Sequence, residues 1–171
     1  MDKQWQTIIW QQFGAAIDML GSALNACPSE LWQAQLYNDR SVQPEFTAFW
    51  YVTYHTIFWL DFYLADSIET FSPPPPFTLS EFEAGLLPER VYTKAELQSY
   101  LAYSRQKCQE TIHGLTNALA PQRCRTDWPE MSVAELLLYN MRHVQEHAGQ
   151  LSLFLGQKEH KTAVWVSKAR Q

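Results

Sequence analysis

The chain has few of the residues that mark several common classes of ligand-binding protein. It contains six glycines in 171 residues, and no GxGxxG, GxxxxGK[ST] or GxSxG pattern occurs, so phosphate-binding loops and a serine-nucleophile turn are not indicated. Lysine and arginine total 13 against 18 acidic residues, and they form no cluster. Nucleic acids and anionic membranes are bound by basic surfaces, so we expect neither as a partner.

Cysteine is also scarce. Cys27, Cys108 and Cys124 are odd in number and widely spaced, which predicts free thiols and no disulfide framework. The first residues, MDKQWQ, contain no apolar signal core, so we expect a cytoplasmic protein. The apolar run at 46–65 includes a histidine and an aspartate, and charged groups are costly inside a bilayer. It predicts a buried helix rather than a membrane span.

Charged residues make up only 18% of the chain, whereas apolar residues make up 46% and aromatic residues 14%. This length and composition predict one domain, spanning 1–171, with a core rich in large rings. The low share of charge beside so many aromatic residues indicates that some apolar surface is covered by a partner chain. We therefore expect a homodimer or a higher oligomer.

Apolar residues recur at intervals of three and four along most of the chain, which is typical of helices packed by one face. Capping-box patterns begin the third helix at Thr93 and the fourth at Ser132. Ser41 is a possible N-cap of the second helix, and Gly156 is the expected C-cap of the fourth. The four predicted helices cover residues 3–25, 44–67, 93–120 and 132–156.

A run of four prolines at 73–76 predicts an extended connection between the second and third helices. Thr78 and Glu81 form another capping-box pattern, which predicts a short helix at 78–84. Only residues 162–166 show a weak strand pattern. The fold class predicted is all-α, a four-helix bundle with a long proline-rich connection between helices 2 and 3.

Three histidines carry the chemical signal of the sequence. His143 and His147 are four residues apart on a predicted helix, so both side chains lie on one face and can bind the same metal ion. His55 lies among aromatic residues in the second helix. Hydrogen-bonded core histidines are the alternative. Three imidazoles without a fourth protein ligand would make an open site for a divalent metal, with zinc or nickel as candidates.

Glu146 gives this segment a second interpretation. His143, Glu146 and His147 match the HxxEH pattern of inverted zincin peptidases, in which the glutamate activates water. In the absence of a second zinc motif, Glu146 is either a general base beside the histidines or a solvated carboxylate. Residues one turn from the ligands could orient the rings or touch a substrate; they are Tyr139, Asn140 and Gln150.

Two segments together resemble the DinB/YfiT-like superfamily. They are YHTIFW at 54–59 and HVQEHAGQL at 143–151. The resemblance implies a four-helix bundle in which His55, His143 and His147 bind a metal. It also implies a metal-dependent enzyme, since some members are transferases or isomerases that use mycothiol, bacillithiol or glutathione. Ala148 stands where a basic residue is often found, which puts the use of an acidic thiol in doubt.

Two functions remain open from the sequence. The first is a metal-dependent enzyme, a thiol-dependent transferase or a hydrolase, that uses the three histidines, a possible low-molecular-weight thiol and Glu146 as base on a small-molecule substrate. The second is a non-catalytic bundle, stabilised by metal, that binds a ligand or another chain. An open coordination position beside a cavity favours the enzyme, and a closed fourth ligand favours the structural role.

Overall fold

The computed structural model describes residues 3–124 and 130–169. Within these ranges the chain forms four long helices and no β-strand, which confirms the all-α bundle. The helices are α1 (Lys3–Ala26), α2 (Phe49–Phe62), α3 (Lys94–His113) and α4 (Val133–Glu159). Short 3-10 turns occupy Ser29–Leu31, Pro44–Thr47 and Ser80–Phe82.

Helices α1 and α2 each pack against both α3 and α4. Helix α1 therefore lies diagonally across the bundle from α2, and α3 lies diagonally across from α4. This arrangement is expected of a bundle with crossover connections. The pairing of α2 with α4 matters most for the site, because it faces the helix of His55 towards the helix of His143 and His147. No described helix has both the length and the apolar character to cross a membrane.

Helix α2 is buried on nearly every side. Of its 14 residues, only His55 and Trp59 are partly exposed. Its buried Asp61 is paired with α3, since Lys107 Nζ lies 2.5 Å from Asp61 Oδ1 and the Tyr100 hydroxyl donates to Oδ2 at 3.0 Å. A buried carboxylate needs such partners. The apolar pattern on all sides of α2 thus reflects its burial, and the helix is partly exposed only at His55 and Trp59.

Helix α2 begins later and ends earlier than its apolar pattern predicts. The expected N-cap at Ser41 is wrong, because α2 starts at Phe49 and its N-cap residue makes no side-chain hydrogen bond. The amide of Phe49 donates instead to the Ala34 carbonyl, and that of Trp50 to the Trp32 carbonyl, both at 2.9 Å. The backbone of an earlier loop therefore satisfies the free N–H groups of the first turn.

The capping boxes at Thr93 and Ser132 are confirmed, each with reciprocal hydrogen bonds to a glutamate three residues on. The predicted C-cap at Gly156 is wrong, since α4 continues to Glu159. A Cβ at Gly156 would lie 3.0 Å from Thr162 Cγ2, so this glycine makes room for the chain that follows. Helix α3 ends at His113, some residues before the predicted end, and Gly114 follows as its C-cap.

The proline-rich connection between α2 and α3 is fixed onto α2. The Tyr54 hydroxyl donates to the Thr78 carbonyl at 3.1 Å, and Phe71 and Phe77 are buried in the core. The helix predicted at 78–84 is only a 3-10 turn without a side-chain cap. Its Glu81 reaches α2 instead, where the carboxylate contacts His55.

The C-terminal segment forms no strand in residues 162–166. It lies along the outside of α1 instead, where the Val164 amide donates to Ser22 Oγ and the Ala169 amide donates to the Gln11 carbonyl, both at 2.9 Å.

Candidate metal centre

The packing of α2 against α4 brings His55, His143 and His147 together. One ring nitrogen of each lies within 4.8 Å of those of the other two. The Nε2 atoms of His55 and His143 are 3.4 Å apart. Two nitrogens bound at 2.0–2.1 Å to one tetrahedral zinc ion would be about 3.3 Å apart. The spacing therefore fits shared coordination of one ion.

The Nδ1 atoms of two of the rings, those of His55 and His147, lie against hydrogen-bond acceptors. His55 Nδ1 lies 2.7 Å from Glu81 Oε2, and an ionised carboxylate only accepts, so this nitrogen carries the hydrogen. His147 Nδ1 lies 2.9 Å from Gln150 Oε1. Both Nε2 atoms are then free to donate an electron pair. Histidine ligands of metals are usually held in this way by a second hydrogen bond.

Burial keeps two of the imidazoles neutral. It lowers the pKa of His143 to about 3, with a further contribution from the neighbouring rings of His147 and His55. Burial and the neighbouring ring of His55 also lower the pKa of His147. Only a neutral imidazole can bind a metal ion, so both rings are in the binding form at neutral pH. His143 Nδ1 is buried and meets no hydrogen-bond partner in the described part of the chain.

Glu81 is the charged residue in closest contact with this cluster. Its side chain is 5% exposed, and its Oε2 also accepts a hydrogen bond from Trp59 Nε1 at 2.8 Å. Burial alone would raise the pKa of the carboxyl, but the hydrogen bond and the attraction of His55, with help from Tyr51 and Trp59, lower it overall. Glu81 is therefore ionised while it holds His55.

A cavity of about 750 Å³ opens beside the cluster. His55, His147 and Glu81 form its inner wall, and residues of the 37–47 segment form much of the rest. A larger cavity of about 1040 Å³ lies between α1 and α3, but none of the three histidines lines it. The smaller cavity is therefore the one that gives a ligand access to the histidines.

The residues predicted to lie one turn from the histidines are Tyr139, Asn140 and Gln150, and each makes a different contact. Gln150 holds His147 directly. Asn140 is buried, and its amide donates to the Leu60 carbonyl at 3.0 Å, which ties α4 to α2. Tyr139 contacts Tyr63, whose ring in turn lies 6.2 Å from His143. The ring of Tyr63 thus lies between Tyr139 and the candidate ligand His143.

Glu146 is exposed on α4, and its charge acts on His147. Its predicted role as general base stays a prediction.

Glu81 was missed as a site residue because its sequence context indicated a helix cap. It is 26 residues from His55, and no spacing rule joins a loop carboxylate to a helix across a proline-rich connection. Tyr51 and Trp59 had a usable signal, since they lie one turn before and one turn after His55 and so share its face. Their rings lie 6.4 and 6.3 Å from the His55 ring.

The fold and the cluster define a class of protein: a four-helix bundle with a possible three-histidine metal site between two of its helices. The family model described as the DinB superfamily matches residues 12–151, a range that includes all three histidines. The chain belongs to the DinB superfamily, which confirms the resemblance noted from the sequence. Comparisons with curated proteins and with solved structures gave no match.

Proposed function

We propose that this protein is a metal-dependent enzyme that binds one divalent ion, zinc or nickel, through His55, His143 and His147. The observation that carries the proposal is the convergence of three ring nitrogens beside a 750 Å³ cavity, which two of the histidines, His55 and His147, line. The group of candidate ligands in the described residues contains no fourth member. An open position next to a cavity is typical of catalytic rather than structural sites.

A divalent ion in such a site acts as a Lewis acid and lowers the pKa of a coordinated water or thiol. The protein's own residues set the geometry. Glu81 fixes the ring of His55, and Gln150 fixes that of His147. Burial, and next the charge of Glu81, raise the pKa of the Tyr51 phenol, so its hydroxyl stays protonated. This hydrogen is directed at Glu81, so Tyr51 helps to hold the carboxylate that orients His55.

Two reaction types fit this arrangement, hydrolysis and transfer of a small thiol. Glu146 is the proposed general base, because its exposed carboxylate is near enough for its charge to act on His147. Ala148, at the position where a basic residue often stands in the family, is 1% exposed and lines no part of the cavity. An acidic thiol would lack that contact, which favours hydrolysis.

The test is turnover on two substrate panels, esters and amides for hydrolysis and electrophiles with added thiols for transfer. We expect activity on one panel that chelator removes and zinc or nickel restores. His147→Ala should be inactive. His113→Ala, which removes an exposed histidine of α3, should match the wild type. Full metal occupancy with no turnover on either panel would instead favour a non-catalytic, metal-stabilised binding protein.

A further inference from the structure

We propose that the cavity beside the histidines takes a small organic cation, an amine or ammonium with an apolar body, rather than an acidic thiol. This inference rests on the proposed function, because it names the class of ligand for the same site. It departs from the glutathione-like thiols that the family resemblance suggests.

The first argument is the charge of the cavity. Apart from histidines, the only charged side chains of the described residues that line it are Asp39 and Glu81. Arg40, next to Asp39 in the chain, is exposed and is not part of the lining. Together Asp39 and Glu81 balance the two charges of a divalent ion. Because Glu81 lies beside the histidines and Asp39 lies away from them, the Asp39 end of the loaded cavity stays negative and attracts cations.

The second argument is the aromatic lining. Tyr37, Phe46, Tyr51 and Trp59 all line the cavity, and Phe46 and Tyr51 meet edge to face with centroids 4.8 Å apart. The hydrogen bond from Trp59 to Glu81 fixes the indole ring in the wall. Aromatic faces attract organic cations and also bury their apolar parts. A cation with an apolar body matches both features.

The third argument is the position of Asp39 at the exposed side of the cavity. Its Oδ1 accepts hydrogen bonds from the amide and hydroxyl of Ser41, at 2.9 and 2.6 Å, and these bonds lower its pKa. The carboxylate is therefore ionised and held in place at neutral pH. Glutathione carries two carboxylates, and in the described part of the chain no arginine or lysine lines the cavity to pair with them. Repulsion of this kind selects against a ligand class.

The experiment compares three probes with the same ring on zinc-loaded protein by isothermal titration calorimetry. Benzyltrimethylammonium has a permanent charge and cannot bind metal; benzyl alcohol is neutral, and phenylmethanesulfonate is an anion that coordinates zinc only weakly. We expect the ammonium to bind about threefold more tightly than the alcohol and about tenfold more tightly than the sulfonate. Asp39→Asn should bring the ammonium close to the alcohol. Asp66→Asn, an exposed site that does not line the cavity, should have no effect.

The inference is overturned if phenylmethanesulfonate binds as tightly as the ammonium, if Asp39→Asn leaves the preference intact, or if none of the probes binds. Metal analysis of the same samples tests the proposed function separately. A sample without bound metal that still prefers the cation would refute the three-histidine site alone. A fully loaded sample with the preference reversed would refute only the ligand class.

Discussion

Glu81 links the proline-rich connection to the candidate metal centre. Its carboxylate accepts from His55 Nδ1 and Trp59 Nε1 at 2.7 and 2.8 Å, so one oxygen orients both partly exposed residues of α2. Nothing else in the described chain holds His55 Nδ1. The imidazole would otherwise be free to turn about its side-chain bonds, and its Nε2 would no longer point at the other two histidines.

We expect Glu81→Ala to weaken metal binding about 10- to 100-fold, the usual cost of losing a group that orients a ligand. The variant should keep its helical circular dichroism, because Glu81 lies in a short turn outside the four helices. Competition with a chelator dye measures the affinity. Glu83→Ala removes an exposed carboxylate two residues away and should bind metal as the wild type does. Equal affinity in both variants would show that Glu81 does not position His55.

The candidate ligands themselves could be predicted from the sequence because their signal is local. His143 and His147 share a helix face by spacing alone, and His55 is the remaining histidine in an apolar helical run. Glu81 and Asp39 could not be predicted, since each reaches the cavity through the path of a loop. Loop paths depend on contacts between distant residues, such as the bond from Tyr54 to Thr78, that no periodic pattern records.

At the scale of single elements, local signals predicted helix starts better than helix ends. Thr93 and Ser132 cap their helices as expected, because a capping box is complete within four residues. Helix α2 has no such cap, and its first amides bond to Trp32 and Ala34, residues well outside the local window. Gly156 predicted the end of α4, but close packing against Thr162 better explains why a glycine is at this position.

The capping box of α3 gives a pH-dependent prediction. The bond from Arg90, with those from Thr93, lowers the pKa of Glu96 to about 2 from an ordinary value of 4.5. Because the folded state binds the proton less tightly, the carboxylate stabilises the fold fully above pH 4.5, and this stabilisation is lost as pH falls towards 2.

Glu96→Gln should therefore lower the free energy of unfolding by about 1 kcal/mol at pH 7, a modest figure because the group is near solvent. The difference from the wild type should shrink as pH falls from 4.5 to 2. Urea denaturation across this range measures it. Glu89→Gln, an exposed neighbour, serves as control. A difference that grows on acidification would contradict the assigned role of Glu96.

At the scale of the whole molecule, the cluster joins α2 to α4, two helices that are far apart in the chain. A ligand that binds only the folded protein stabilises it by mass action, by about 2.7 kcal/mol at a hundredfold excess over its Kd. We expect chelator to lower the thermal midpoint of the wild type and of His113→Ala. His143→Ala should show no shift. A wild-type midpoint insensitive to chelator and to added zinc would argue against a bound ion.

The homodimer expected from the low charge content stays a prediction. The exposed apolar residues of the described chain include Leu153, Val164 and Trp165, at 62, 71 and 73% exposure. Burying such residues is a common reason for association. Light scattering at micromolar concentration should give twice the chain mass of 19.9 kDa. A single species at the chain mass would show that these residues remain on a free surface.

The cytoplasmic location likewise stays a prediction.

The most direct test of the account is zinc titration of the wild type and of His55→Ala under chelator competition. His55 is the decisive residue because it alone comes from α2. We predict one ion per chain in the wild type and an affinity more than about 100-fold weaker in His55→Ala, since a lost ligand should cost more than a lost orienting group. His113→Ala should bind as the wild type does. Full stoichiometry and unchanged affinity in His55→Ala would contradict the three-histidine site.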